Sequence, residues 1–273
     1  MSSVLQREVP LELVEHIIDF NFSNTAALVA CSQVARAWVR ATRHHLFARI
    51  NLTTAQRILT FDEILLASPY IARNVKQVQV LTWLSQEEPR GALRRIFKQL
   101  GSAKSVFCSG QQLQPAWNEV FGHLPLVKSL KLRVRWTDLY ALNGLLCSFP
   151  GIADLFVETR MLSGVGDVGN PSSRIVTPLD QLERMIVFNG NGLPNDFQST
   201  LLKQDLPRLE SIEAQLGSDE DAVYLCDFLD RSGSKTLKDL HVRFTYGYPE
   251  GMPHGAPLVV YDRALIDLSS SYR

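Results

Sequence analysis

The 273-residue sequence has little of what catalysis, export or membrane insertion needs. Its four cysteines, Cys31, Cys108, Cys147 and Cys226, are separated by 77, 39 and 79 residues. No pair has the spacing of zinc ligands or of a redox motif. They are expected to be reduced, buried, small apolar residues. The six histidines are scattered except for His44 and His45. Neighbours on a helix diverge by roughly 100° and cannot share a metal. No Ser–His–acid grouping can be assembled from spacing. No hydrophobic run approaches the ~20 residues that span a bilayer. The start, MSSVLQREVP, lacks a basic region followed by an apolar stretch, so a cytoplasmic or nuclear chain with no membrane partner is expected. Lys plus Arg equals Asp plus Glu, 28 of each. That balance speaks against a nucleic-acid binder held by phosphate contacts. Together these absences point to a binding protein that is not an enzyme and uses no cofactor or metal.

One glycine-rich string, Gly164-Val165-Gly166-Asp167-Val168-Gly169, matches the dinucleotide fingerprint as letters. The fingerprint must open directly into a helix whose N-terminus holds the phosphate. Asn170-Pro171-Ser172-Ser173 follows instead and reads as loop. A flexible insertion is the expectation. An enzyme acting through this loop is the least favoured reading.

What is present is a globular composition, 45% hydrophobic and 21% charged. It divides in two. In the first part, Pro10 suits a first helical turn. Val14, Ile17 and Ile18 recur at helical spacing, beside Leu11 and Leu13. Ser23 or Asn24 can cap a second helix with Leu28 and Cys31, and Ser32 a third with Val34, Trp38 and Ala41. Leu46, Phe47, Ile50 and Leu52 close the segment. Three helices in about 40 residues are near the lower limit for an autonomous core. Arg36, Arg40, Arg43, His44, His45 and Arg49 form a local basic cluster, read first as a solvated face.

VPLELVEHIIDF, followed by ALVACSQVARAWVRATRHHLFARINL, resembles the F-box motif. Pro10, Glu12, Leu13, Ile17, Ile18, Leu28, Ser32, Val34, Arg36, Trp38, Leu46 and Phe47 match it in order and approximate spacing. CSQVARAW with RHHLFARI is especially similar to F-box proteins of fungal type. The family's leucine before the proline is Val9 here, and the loop between the first two helices is short. The resemblance implies docking onto the Skp-type adaptor, and through it a cullin, of an SCF-type ubiquitin ligase. It implies an adaptor face of Pro10, Leu13, Ile17, Leu28, Val34 and Trp38. A helical segment is therefore expected over 1–52, with a second domain over 53–273.

The second part repeats. An aliphatic triplet at i, i+3 and i+5 starts at Val75, Ala103, Val127, Ile152, Leu182, Leu209 and Leu237. The starts are 28, 24, 25, 30, 27 and 28 residues apart. Proline stands two before the start in LPLVKSL, FPGIADL and LPRLESI. The i+3/i+5 pair alternates like a short strand, and helix-like stretches lie between. Ser85 with Glu88 can box one helix N-terminus, and Ser218 can cap another. A unit of about 27 residues lies in the leucine-rich-repeat range. The region resembles an irregular leucine-rich-repeat array, an α/β solenoid with short parallel strands. It lacks the asparagine ladder: the i+8 residues are Trp83, Gln111, Arg135, Arg160, Gly190, Gly217 and Thr245. A mixed α/β domain on an ordinary parallel sheet satisfies the same periodicity.

If i+3 and i+5 face the core, i+4 and i+6 face out. Phe107, Lys131, Phe156, Ile186 and Arg133, Glu158, Phe188 then meet in the middle repeats as a target-binding surface. The expected function is substrate recognition for an SCF-type ubiquitin ligase. The alternative is a repeat scaffold whose helical segment only completes its end.

Overall fold

The computed structural model describes residues 9–81, 87–113, 116–137, 139–159, 179–189, 206–216, 219–233, 236–244 and 264–265. The string at 164–169, Ser85 and Ser218 lie outside the described residues. The chain opens with three helices, α1 (Leu11–Phe20), α2 (Thr25–Val34) and α3 (Arg36–Leu46). Asn24 caps α2, its Oδ1 accepting from the Ala27 N–H at 3.0 Å. Ser32 does not cap α3. It lies inside α2 and donates to the Val29 carbonyl at 2.6 Å, and Ala35 precedes α3 with no side-chain cap.

The rest is a mixed α/β domain on one nine-stranded sheet whose strand order follows the chain. The strands are β1 (Arg49–Leu52), β2 (Gln77–Leu81), β3 (Ser105–Leu113), β4 (Ser129–Thr137), β5 (Asp154–Thr159), β6 (Arg184–Asn189), β7 (Ser211–Leu216), β8 (Asp239–Phe244) and β9 (Ala264–Leu265). The first eight are parallel; β9 pairs antiparallel with β8. Helices α4 (Ala55–Ala67), α5 (Glu87–Gln99), α6 (Ala116–Phe121), α7 (Leu139–Cys147) and α8 (Asp219–Phe228) fall between strands. A 3-10 segment, Pro69–Asn74, follows α4. Helices α4 to α7 pack on one another in sequence.

The same local device recurs in six units. The N–H at position i bonds the carbonyl at i−3 at Val75, Ala103, Val127, Ile152, Leu182 and Leu209, at 3.0–3.3 Å. Proline preceding the start by two fits this turn because its fixed φ suits the second turn position. The carbonyl at i+1 then accepts two N–H groups from the next unit: Lys76 from Lys104 and Ser105, Lys104 from Lys128 and Ser129, Lys128 from Ala153 and Asp154. Every unit is thereby set in the same register against its predecessor.

That register matches the sequence alignment of the units. Val78, Val106, Leu130, Leu155, Met185, Ile212 and Leu240 pair across the sheet and are buried, as are the starts Val75 to Leu237. A single apolar cluster runs from Ile50 to Leu240. Inside it Phe97, Trp117, Phe121 and Phe149 form a chain of rings 5.7–5.9 Å apart. The helices therefore cover the i+3/i+5 face of the sheet.

One more unit precedes those expected. Phe47, Ile50 and Leu52 occupy i, i+3 and i+5, and Phe47 packs on Phe61 in the sheet's core at 6.5 Å. A screen for aliphatic starts passes over an aromatic one. The boundary drawn at residue 52 thus falls inside the first unit of the sheet; the helical cluster ends at Leu46.

Candidate functional site

Two surfaces stand out. On the helical part, Val14, Ile18 and Leu28 form a core of three buried residues, edged by Cys31, Trp38, Ala41 and Leu46. His45 and Asp19 bind α3 to α1 at 2.7 Å. Thr42 is buried, its hydroxyl within hydrogen-bonding distance of the Trp38 and Val39 carbonyls at 2.9 and 3.0 Å. The rest of the apolar surface faces outward. Leu13 is 54% exposed, Ile17 41% and Val34 64%. Val9, Leu11, Phe20, Phe22 and Val29 are exposed with them. Helix α1 carries two apolar stripes: Val14 and Ile18 inward, Leu13, Ile17 and Phe20 outward at i, i+4 and i+7.

Of the six residues expected on this face, Pro10, Leu13, Ile17 and Val34 are exposed. Leu28 is not: at 1% exposure it fills the small core and offers a partner nothing. Trp38 is half-buried against that core. Phe20, in helical phase with Ile17, and Phe22, in the turn after α1, were legible as apolar residues but are not among the positions that match the motif. Two members of the basic cluster are engaged internally. His45 holds Asp19, and Arg43 hydrogen-bonds the Tyr70 hydroxyl with its guanidinium 5.7 Å from that ring. The latter contact ties α3 to the 3-10 segment of the sheet domain.

The second surface is the sheet face that no described helix covers. The register sets Phe107, Lys131, Phe156, Ile186, Glu213 and His241 in one row. Arg133, Glu158 and Phe188 form the next. All seven expected residues are brought together. Phe156 and Phe188 meet edge to face at 5.6 Å, and the Arg243 guanidinium lies 5.4 Å from the Phe188 ring. Lys131, Arg133 and Arg243 are exposed; Phe107, Phe156, Glu158, Ile186 and Phe188 are half-buried.

Three ion pairs tie neighbouring strands: Arg133 Nε–Glu158 Oε2 at 2.6 Å, Arg184 Nε–Asp154 Oδ1 at 2.6 Å and Arg243 Nη2–Glu213 Oε1 at 2.9 Å. The hydrogen bond and charge of Asp154 raise the Arg184 pKa above its ordinary value. Arg184 and Arg243 were not among the residues expected here. Arg243 was legible at i+6, whereas Arg184 sits at i+2, one step before the positions considered.

Among the described residues no group of histidine, cysteine and carboxylate side chains is placed to hold a metal, and no helix is long and apolar enough to cross a membrane. Cys108 alone is fully buried, and burial pushes its thiol far above the usual range. Cys147 and Cys226 are exposed, against the expectation that all four are buried. No protein-family model matches the chain, and no curated protein matches it.

Proposed function

We propose that the protein is the substrate-recognition subunit of an SCF-type cullin–RING ubiquitin ligase. Residues 9–46 dock a Skp-type adaptor, which brings the cullin. The in-order parallel strands are read as a leucine-rich-repeat-like solenoid whose open face holds a protein target. The chain supplies proximity and orientation, and its partners supply the chemistry. The observation that carries this reading is the outward apolar stripe Leu13–Ile17–Phe20 on a bundle whose own core is three residues. Such a surface is costly in water and is typical of an interaction site. The F-box order of residues from Pro10 to Phe47 supports the identity of the partner.

The test is a pull-down of purified Skp-type adaptor by the full chain. Leu13→Asp removes an apolar anchor, and anchors of this kind commonly contribute about 2 kcal/mol, roughly thirtyfold in affinity. Unchanged adaptor binding by a folded Leu13→Asp variant would sink the proposal. A second reading has one observation in its favour. Arg43 on Tyr70 holds α3 against the sheet domain, as expected of a bundle that only closes the end of a repeat scaffold. In that case the wild-type chain retains no adaptor.

A further inference from the structure

In the ion pairs of the sheet face the positive group lies outermost, around an apolar centre; Asp239 on β8 is an exposed carboxylate at the edge of the same face. In each of the three ion pairs among the described residues of this face the arginine is the exposed partner: 55% against 17% for Arg133–Glu158, 65% against 33% for Arg184–Asp154, 53% against 23% for Arg243–Glu213. Each carboxylate takes part of a five-donor guanidinium and fixes its plane. At the centre lie Phe156, Ile186 and Phe188, on adjacent strands.

We infer that this face binds an acidic peptide segment of a protein partner, with an aromatic or branched aliphatic side chain seated on Phe156, Ile186 and Phe188 and carboxylates on Arg133 and Arg243. The inference rests on the reading of this face as the target surface, not on the adaptor. A basic segment would set its cations against the outermost guanidiniums. A purely apolar one would leave their donors desolvated and without acceptors, a cost of the same kind as any buried polar group left unmet. Arg133 on β4 and Arg243 on β8 share the i+6 position, four strands apart. At about 4.8 Å per strand their backbones are roughly 19 Å apart, but both side chains lean inward, Arg133 onto Glu158 of β5 and Arg243 over Phe188 of β6. Their guanidiniums are therefore closer than the roughly six extended residues, at ~3.3 Å each, that would span the backbones. The segment carries two acidic residues fewer than about six positions apart with the apolar anchor between them. Arg184, lower on β6, takes a third carboxylate. The exposed Lys131 adds positive charge. The paired acids nearly cancel the face's formal charge, so recognition is by guanidinium geometry more than by net charge. Arg→Lys does not replace it.

The test is selection of random twelve-residue displayed peptides on the full chain, followed by anisotropy titration of the synthesised winners. The expected winners hold an aromatic or branched aliphatic residue flanked by Asp or Glu. Their affinity falls about tenfold or more in Arg133→Ala/Arg243→Ala and in Phe188→Ser. Arg133→Lys/Arg243→Lys restores less than half of that loss in free energy. Variants are compared only where circular dichroism shows an unchanged fold; Arg133→Gln/Arg243→Gln, which keeps shorter but polar uncharged heads, replaces the alanine pair if that unfolds. No selected binder, basic winners, or winners indifferent to these substitutions would overturn the inference. So would self-association of the chain that Phe188→Ser abolishes, which assigns the face to a second copy. Adaptor pull-down of the same variants separates the two readings. Lost peptide with retained adaptor speaks to this face, and retained peptide without adaptor speaks to the ligase role alone.

Discussion

Asp62 on α4 is a carboxylate at 4% exposure, held by Arg95 of α5, whose Nε and Nη2 lie 3.0 and 2.5 Å from Oδ2. Its other oxygen, Oδ1, finds no partner among the described residues. Only the carboxylate is buried, since the Arg95 side chain is 56% exposed, but removing the arginine leaves that carboxylate without its hydrogen bonds. Arg95→Met should therefore destabilise by about 2 kcal/mol. The double variant Asp62→Leu/Arg95→Met should recover most of that in urea denaturation. If the single and double variants are equally unstable, the arginine acts through its packing and not its charge. The cysteines give a second prediction at this scale. Native thiol titration should find Cys147 and Cys226 reactive and Cys108 silent until the protein is unfolded, because only the thiolate reacts and burial opposes its formation. Prompt reaction of Cys108 would mean that β3 opens readily.

Helix α1 shows how much a single element leaves undecided in sequence. Leu13, Val14, Ile17 and Ile18 are equally apolar, and two of them are core. Leu13→Asp should leave the exchange protection of α1–α3 amides nearly unchanged, within about 0.5 kcal/mol, as exposed substitutions usually do. Ile18→Ala should lower it by about 2 kcal/mol or more, the usual cost of emptying a core position. Leu28→Asp, equally suggested by the F-box order, is a poor probe of docking because it unfolds the bundle first. Equal effects of Leu13→Asp and Ile18→Ala would mean that both stripes are internal, and the docking surface proposed for α1 would be lost.

Across the molecule, the two cores differ greatly in size: three residues for the helices, a continuous cluster from Ile50 to Leu240 for the sheet. Local stability follows buried apolar contact. Native-state hydrogen exchange should show α1–α3 opening first and β3–β6 last, with the helical amides gaining protection when adaptor is added. The proposed ligase role fits this order, since a docking unit completed by its partner needs little stability alone. Protection of α1–α3 equal to that of β4 without any partner would contradict it.

The repeat was legible because its cause is local. A turn that in three units holds proline two before its end, an i+1 carbonyl shared by two N–H groups and two inward aliphatics recur about every 27 residues, and the aliphatics and prolines leave letters in the chain. The strand register and both faces of the sheet followed from that alone. The first unit was missed only because Phe47 stands where the others hold an aliphatic. What sequence could not decide depended on which surfaces meet. Leu28 and Leu13 are the same residue type on consecutive helices, and only the packing of α1 and α2 on α3 buries one and exposes the other. Arg184 and Arg243 join the aromatic centre because strands 25 to 30 residues apart lie side by side. The charge they present depends on how far each carboxylate sinks beneath its arginine, which is a property of the assembled sheet.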